Sequence, residues 1–193
     1  MKRKKIPSHI VYTGEGGEAA MERAAVPSMV REERLRQWIA QYAEAVTKVC
    51  WASLRDRALA EDACQDTFLK AWKHMESYER KNIQNDKAWL MRIAVNTCRD
   101  YRRSAWQRHV DGRVSLDQLP EIPADSREDR ALAMDVMRLP ERLKEPVLLY
   151  YYQGLTIQET ARALAVPQTT VHRRLKKARE LLKESLRGGD ADE

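Results

Sequence analysis

The chain has 193 residues, enough for one or two small domains. Hydrophobic residues make up 43% and only 7 residues are glycine, a composition that favours helices and excludes a membrane protein. The net charge of +6 and the pI of about 9.3 favour a polyanionic partner, whose binding would weaken with salt. No apolar run approaches membrane-spanning length, and the basic residues 1–5 are not followed by the apolar segment of a signal peptide. We therefore expect a cytoplasmic protein without membrane insertion.

Residues 1–30 contain glycines and prolines without apolar periodicity, which predicts a mobile N-terminal tail. From residue 31 onward, apolar side chains recur every three or four positions and predict a first helix that ends near Leu54. Its predicted inner face consists of Leu35, Trp38, Ile39, Tyr42, Val46, Val49, Cys50 and Leu54.

The same periodicity predicts a second helix over about residues 59–75 and a third over about residues 87–108. A polar stretch, residues 78–86, separates them and is predicted to be a loop. The three helices predict one bundle domain over residues 31–109. Residues 110–126 contain Gly112, Pro120, Pro123 and several acidic residues, and predict a flexible acidic linker.

A second helical domain is predicted over residues 127–187, followed by a short tail, residues 188–193. The predicted fold class is therefore all-α, with two small helical domains joined by the linker. Within the second domain, Thr156 and Glu159 have the spacing of a capping box that begins a helix. The pair Val166 and Pro167 ends that helix and opens the next one, so this segment predicts a helix-turn-helix.

The last helix of this motif has an apolar inner face and a polar, basic outer face. A helix fits the DNA major groove, where such side chains reach base edges and phosphates. The predicted DNA contacts are Gln168, Thr169, Thr170, His172, Arg173, Lys176 and Lys177. The alternative is an ordinary solvated face, because helix-turn-helix patterns also arise by chance.

Three further polar features stand out in the first domain. Asp62, Gln65 and Asp66 lie on one face of the second helix, which indicates either a docking face for a basic partner or a solvated face. The third helix carries a stripe of Arg92, Asn96, Arg99 and Arg103, with Arg102 beside it. Cations at this spacing repel one another unless an anion such as a phosphate backbone, or solvent, compensates them.

The third feature is the polar loop itself, in which amide and aromatic groups stand next to cations. Such groups suit unstacked bases, although a loop of this length is more often only a connection. The candidate base contacts here are Tyr78, Asn82, Gln84, Asn85 and, just beyond the loop, Trp89.

No set of residues with catalytic spacing is present: there is no glycine-rich phosphate loop, no metal-ligand spacing and no nucleophile–base pair. Cys50, Cys64 and Cys98 are widely spaced, and we expect them to be buried thiols. We therefore predict that the protein is not an enzyme and uses no cofactor or metal.

In combination, these segments resemble the extracytoplasmic-function (ECF) class of bacterial sigma factors, over about residues 31–186. The family's acidic signature appears as Asp62-Ala-Cys-Gln-Asp-Thr-Phe68. Its third-helix signature appears as Trp89-Leu-Met-Arg-Ile-Ala-Val-Asn-Thr-Cys-Arg-Asp100, and Leu139-Pro-Glu-Arg142 matches a pattern found in its second domain. The chain departs from the family at Ala165, where many members have glycine, and at Pro146, which implies a helix that begins late or kinks.

The resemblance implies a role for each surface. Asp62, Gln65 and Asp66 would dock on the clamp helices of core RNA polymerase, and the helix near residues 148–152 would meet the polymerase flap. The loop and third helix would melt and read the promoter −10 element, while the helix-turn-helix would read the −35 element as duplex. Such factors are commonly held inactive by an anti-sigma protein.

Two other functions remain open on the sequence alone. A helix-turn-helix regulator that binds duplex DNA without polymerase would explain residues 127–186 but not the acidic helix or the loop. An enzyme acting on nucleic acid would need a catalytic group that is not apparent in the sequence.

Overall fold

In the computed structural model, residues 16–107 and 127–189 are described, with side chains described for residues 29–104 and 132–185. These residues form helices and no strand, which confirms the all-α prediction. Domain 1 consists of α1 (Gly16–Leu54), α2 (Arg57–Arg80) and α3 (Asp86–Gln107). Domain 2 consists of α4 (Arg127–Arg138), α5 (Glu141–Val147), a π-helical turn (Leu148–Tyr152), α6 (Ile157–Leu164) and α7 (Gln168–Gly189). The predicted linker and the C-terminal tail lie almost entirely outside the described residues.

The core of domain 1 lies where the apolar stripes of α1, α2 and α3 meet, as their periodicity predicts. Trp38 and Cys50 on α1, Met75 on α2 and Leu90 on α3 are all buried. Ile39 is the exception: it was predicted to face inward but is largely exposed. It lies next to Trp38, whose larger ring takes the inward position at that point of the helix.

Two helix boundaries differ from the predictions. Helix α1 begins at Gly16, fifteen residues before the predicted start, within the segment predicted to be a tail. Residues 18–25 are rich in Ala, Glu, Met and Arg, which favour helix even without an apolar stripe. Helix α2 begins after its cap Asp56 and continues to Arg80, so the loop is only residues 81–85.

Domain 2 contains a change of helical pitch. Pro146 lies inside α5, where it has no N–H to donate to the Arg142 carbonyl. The chain then widens into the π-helical turn, in which the Gln153 N–H donates to the Leu148 carbonyl at 2.9 Å. Helix α5 therefore does not begin late. The departure from regular α-helix expected near Pro146 is the π-helical turn that follows α5.

The helix-turn-helix, α6 and α7, forms as predicted. The Glu159 N–H donates to Thr156 Oγ1 at 3.2 Å and the Thr156 N–H donates to Glu159 Oε2 at 2.8 Å, which completes the capping box. Helix α6 ends at Ala165, a non-glycine residue in the left-handed region (φ 54, ψ 46). The Val166 N–H then donates to the Ala161 carbonyl at 3.0 Å, the bond that closes a Schellman turn.

Candidate nucleic-acid and protein interfaces

The acidic face of α2 comprises Asp62, Gln65 and Asp66. Asp62 and Gln65 are exposed, whereas Asp66 is half-buried and accepts a hydrogen bond from the Tyr101 hydroxyl at 2.8 Å. Burial and the contact with Asp66 raise the pKa of Tyr101 to about 12. Asp66 therefore also links α2 to α3, a contact that the sequence alone does not indicate.

An apolar residue extends the acidic face. Leu69 follows Gln65 by one helical turn and is one of the few large apolar side chains that the described residues expose. The sequence could have indicated this position, because Leu69 follows Gln65 by four residues and Asp62 by seven and therefore lies on the same helical face. A carboxylate pair beside an exposed leucine is a mixed surface of the kind found at protein interfaces.

The basic stripe of α3 comprises Arg92, Asn96, Arg99 and Arg103. Arg92, Asn96 and Arg103 are exposed, and Arg99 is half-buried. Asp100 compensates part of the local charge, because its carboxylate lies 3.4 Å from Lys70 Nζ and 4.0 Å from Arg103 Nη1. The exposed part of the stripe thus retains cationic and amide donors that can bind phosphates or bases.

Two arginines of α3 contact domain 2. Arg99 binds Glu145 with both ends of its guanidinium, at 2.6 Å and 3.1 Å. Arg102 binds Glu141 at 2.7 Å and Glu145 at 3.1 Å. The hydrogen bond with Glu145 raises the pKa of Arg99. The sequence predicts Arg99 on the outer stripe of α3 but gives no indication of its partner in domain 2.

The loop places only part of its predicted contacts at the surface. Asn82 and Gln84 are exposed, and Gln84 Nε2 donates to Asn82 Oδ1 at 2.8 Å. Asn85 instead caps α3, because its Oδ1 accepts the Ala88 N–H at 2.8 Å, while its Nδ2 donates to Glu159 of domain 2. Both polar atoms of the Asn85 side chain are therefore engaged within the protein.

Tyr78 requires a correction. It lies in α2 rather than in a loop, and only 5% of the residue is exposed. Its ring packs against Trp38 and Trp89 with centroids 5.0 Å and 4.7 Å away, and its hydroxyl donates to Asp86. Burial, followed by Asp86, raises the pKa of Tyr78 to about 12. Tyr78 thus belongs to the core and does not present its ring to a base; Trp89 is half-buried in the same cluster.

The outer face of α7 is open. Gln168, Thr169, His172, Arg173, Lys176 and Lys177 are exposed, and Thr170 is half-buried. Val171, Leu175 and Ala178 on the opposite face are buried against the rest of domain 2. Part of the charge is compensated, because the carboxylate of Glu180 lies 3.7 Å from Lys177 Nζ. The arrangement presents amide, hydroxyl and cationic donors on a single helical face, as a groove-reading helix requires.

The π-helical turn is divided between core and surface. Leu148 and Leu149 are buried, and Tyr151 and Tyr152 are largely exposed. Cys50, Cys64 and Cys98 are buried free thiols, as expected. Among the described residues, His, Cys, Asp and Glu side chains form no group able to hold a metal ion. None of the helices in the described segments is both long enough and apolar enough to cross a membrane.

Comparison with known proteins decides the family. Residues 38–108 match Sigma-70 region 2, and residues 130–182 match Sigma-70, region 4. The ECF RNA polymerase sigma factor SigL of Mycobacterium tuberculosis is 31% identical over 164 residues, which cover 82% of this chain and 87% of SigL. This chain belongs to the ECF sigma factors of the sigma-70 family. The sigma factor is also 31% identical to the probable RNA polymerase sigma factor RfaY of Xanthomonas campestris, but that match spans only 37% of RfaY.

A solved structure supports the fold of the sigma factor. The sigma factor RpoE of Bartonella quintana, solved in complex with the anti-sigma factor NepR, superposes with a TM-score of 0.67 at 23% identity, over 83% of this chain and 99% of RpoE. Membership of this family makes the chain a transcription initiation factor that binds core RNA polymerase and promoter DNA. The family is non-enzymatic, and no catalytic activity is indicated.

Proposed function

We propose that the sigma factor divides its work among three surfaces: the acidic face of α2 for core polymerase, α3 with its preceding loop for the −10 element, and α7 for the −35 element. The observation that carries this proposal is the separation of charge. Carboxylates and Leu69 lie together on α2, while exposed cations lie on α3 and α7. Polymerase and DNA can therefore be bound at the same time without competing for one surface.

The polymerase contact consists of Asp62, Gln65 and Asp66, which we propose to bind the clamp helices. Replacing Asp62 and Asp66 by asparagine removes both charges, and the amide oxygen introduced by Asp66→Asn can still accept the Tyr101 hydrogen bond. We expect the affinity of core polymerase for this double variant to be at least about tenfold lower, because both lost charges lie on the proposed contact surface.

The matched control is Glu44→Gln with Glu76→Gln, which removes two exposed charges elsewhere in domain 1. Affinity is measured by fluorescence anisotropy of labelled sigma factor titrated with core enzyme. Equal affinities for the acidic-face variant and the control would count against the docking assignment.

The −10 contact consists of residues of α3 and the loop before it, which we propose to hold the non-template strand and a base that has left the stack. Trapping such a base offsets an unstacking cost of a few kcal/mol. The residues that the structure leaves at least partly accessible for this role are Asn82, Gln84, Trp89, Arg92, Asn96, Arg99 and Arg103. Asn85 joins them only if its bonds to Ala88 and Glu159 break.

The −35 contact consists of the outer face of α7, which we propose to enter the major groove. Arg173→Ala and Lys177→Ala should each weaken binding to −35 duplex and reduce the salt slope, d log K/d log [salt], by about 1. Lys48→Ala, an exposed cation on α1, serves as the control and should leave the slope unchanged. Identical slopes for all three variants would refute the assignment.

The exposed tyrosines of the π-helical turn, Tyr151 and Tyr152, support a contact with the polymerase flap. We also propose that the sigma factor is cytoplasmic and is controlled by an anti-sigma protein. The structurally similar RpoE was solved in complex with such a protein, the anti-sigma factor NepR, which supports this proposal. In a reconstituted reaction, the cognate anti-sigma protein should stop initiation at stoichiometric amounts, and core polymerase should compete with it for the sigma factor.

A further inference from the structure

Helices α1 and α3 of domain 1 lie side by side and run in the same direction. Near their beginning, Trp38 Nε1 donates to Asp86 at 2.7 Å, across a sequence separation of 48 residues. Near their end, the Arg102 guanidinium donates to the Ser53 carbonyl at 3.4 Å, across a separation of 49 residues. Both helices rise by the same distance per residue, so their register is nearly constant along the contact.

This register brings two thiols together. Cys50 on α1 and Cys98 on α3 are also 48 residues apart, and both are completely buried free thiols. The Cys50 thiol donates a hydrogen bond to the Cys98 sulfur, to which the Ser53 hydroxyl also donates. The two sulfurs are therefore already close enough for a bond between them to need only a small movement of the helices.

The third cysteine of the chain, Cys64 on α2, has other partners. Its sulfur accepts a hydrogen bond from the Thr47 hydroxyl at 3.2 Å, and its thiol donates to the Ala43 carbonyl at 3.9 Å. Cys64 is buried in the same core, so it provides a matched control for the other two cysteines.

The surroundings of the pair make its two sulfurs unequal. The hydrogen bond from Cys50 holds the pKa of Cys98 below its usual value, with further contributions from Arg102 and Ser53 that outweigh burial. The same hydrogen bond, followed by burial, raises the pKa of Cys50. A thiolate is the form of cysteine that peroxides oxidise, so Cys98 is the first site of attack.

We propose that Cys50 and Cys98 form a disulfide when the cell contains hydrogen peroxide, and that this bond locks α1 to α3 while the sigma factor stays active. The exposed part of the basic stripe, Arg92, Asn96 and Arg103, lies on the outer face of α3 and away from the thiols. Formation of the bond does not depend on which surface binds DNA, whereas the retained activity rests on the proposed function.

The chemistry balances with peroxide as the oxidant. The Cys98 thiolate attacks one peroxide oxygen, the O–O bond breaks, and the other oxygen leaves as water, which produces a sulfenic acid. The Cys50 sulfur then attacks the Cys98 sulfur, and the second oxygen leaves as water. Two thiols thus lose two electrons and two protons, and one peroxide becomes two waters. Peroxide is little larger than water and reaches the pair when the helices open locally.

The test compares wild type with Cys50→Ala, Cys98→Ala and the control Cys64→Ala. Each reduced protein is treated with hydrogen peroxide, which is then removed with catalase. Disulfides are mapped by mass spectrometry of unreduced digests, and urea unfolding is followed by tryptophan fluorescence. Stability is compared before and after peroxide within each protein, so any effect of the substitution itself cancels.

We expect wild type and Cys64→Ala to form the Cys50–Cys98 disulfide within one chain. Their urea midpoint should rise by about 1 M or more, because the cross-link restricts the unfolded chain, and should return when dithiothreitol is added. Cys50→Ala and Cys98→Ala should show neither the disulfide nor the shift. With core polymerase, oxidised wild type should initiate transcription as well as the reduced protein does.

Thiols that stay reduced, a disulfide to Cys64, disulfides between chains, or an unchanged midpoint in wild type would each overturn the lock and leave the proposed function standing. Loss of initiation only in the proteins that hold the Cys50–Cys98 bond would overturn the retained activity. Failure of the reduced protein to initiate would overturn the proposed function, whereas the mapped disulfide would still verify the lock.

Discussion

Tyr78→Phe tests whether Tyr78 belongs to the core or to the DNA surface. The substitution keeps an aromatic ring against Trp38 and Trp89 and removes only the hydroxyl that donates to Asp86. A hydrogen bond to a charged group contributes about 1.5–3 kcal/mol. Asp86 keeps the bond that Trp38 Nε1 donates to it at 2.7 Å, so we expect the free energy of unfolding to fall by about 2 kcal/mol.

All 5 tryptophans lie in domain 1, so tryptophan fluorescence during urea denaturation reports this domain specifically. Tyr151→Phe, at a residue of domain 2 that is 51% exposed, is the control; followed by circular dichroism, its stability should change by less than about 0.5 kcal/mol. Single-strand −10 binding should be the same for wild type and Tyr78→Phe. A wild-type free energy of unfolding in Tyr78→Phe would contradict the buried role of Tyr78.

The difference in free energy of unfolding between wild type and Tyr78→Phe should depend on pH. Because the pKa of Tyr78 is about 12 in the folded protein and 10.0 ordinarily, the unfolded chain loses this proton first as pH rises. The contribution of Tyr78 is therefore complete below pH 10 and is lost as pH approaches 12. The stability difference should shrink over that window. Tyr101 titrates in both proteins and cancels, so a difference that stays constant would refute the assigned cause.

Two backbone predictions concern domain 2. Ala165→Gly should stabilise it by about 1 kcal/mol, because a non-glycine residue in the left-handed region costs about 1–2 kcal/mol, partly offset by the greater freedom of glycine in the unfolded chain. Gly154, with φ 67, is the converse case. Gly154→Ala should destabilise domain 2 by a similar amount, because alanine disfavours this backbone conformation, whereas its Cβ would meet no atom within 4 Å. Both are measured by circular dichroism on thermal unfolding, and changes of the opposite sign would exclude left-handed strain at these positions.

Local features could be predicted from the sequence because their causes are local. The capping box of Thr156 and Glu159 spans four residues, and the end of α6 follows from the adjacent pair Val166 and Pro167. The stripes also placed Trp38, Leu90 and Val171 in the core correctly. Each of these inferences needs only the geometry of a single helix or turn.

Contacts between distant residues could not be predicted in this way. Arg99 and Glu145 are 46 residues apart, and Asn85 and Glu159 are 74 residues apart. Helical periodicity tells which face of a helix is polar, but not which other segment covers that face. The error at Tyr78 has the same origin, because its burial depends on Trp38 and Asp86 rather than on its neighbours in the loop.

The central claim is that one chain binds polymerase through α2 and two promoter elements through α3 and α7. The most direct measurement is transcription in vitro with core RNA polymerase, the purified sigma factor and a library of bacterial promoters, followed by mapping of the transcript starts. We predict discrete starts, each preceded by two shared sequence elements, and their loss when Asp62 and Asp66 are replaced by asparagine or when Arg173 is replaced by alanine. Duplex binding by α7 without any specific initiation would contradict the account and favour a helix-turn-helix regulator that acts without polymerase.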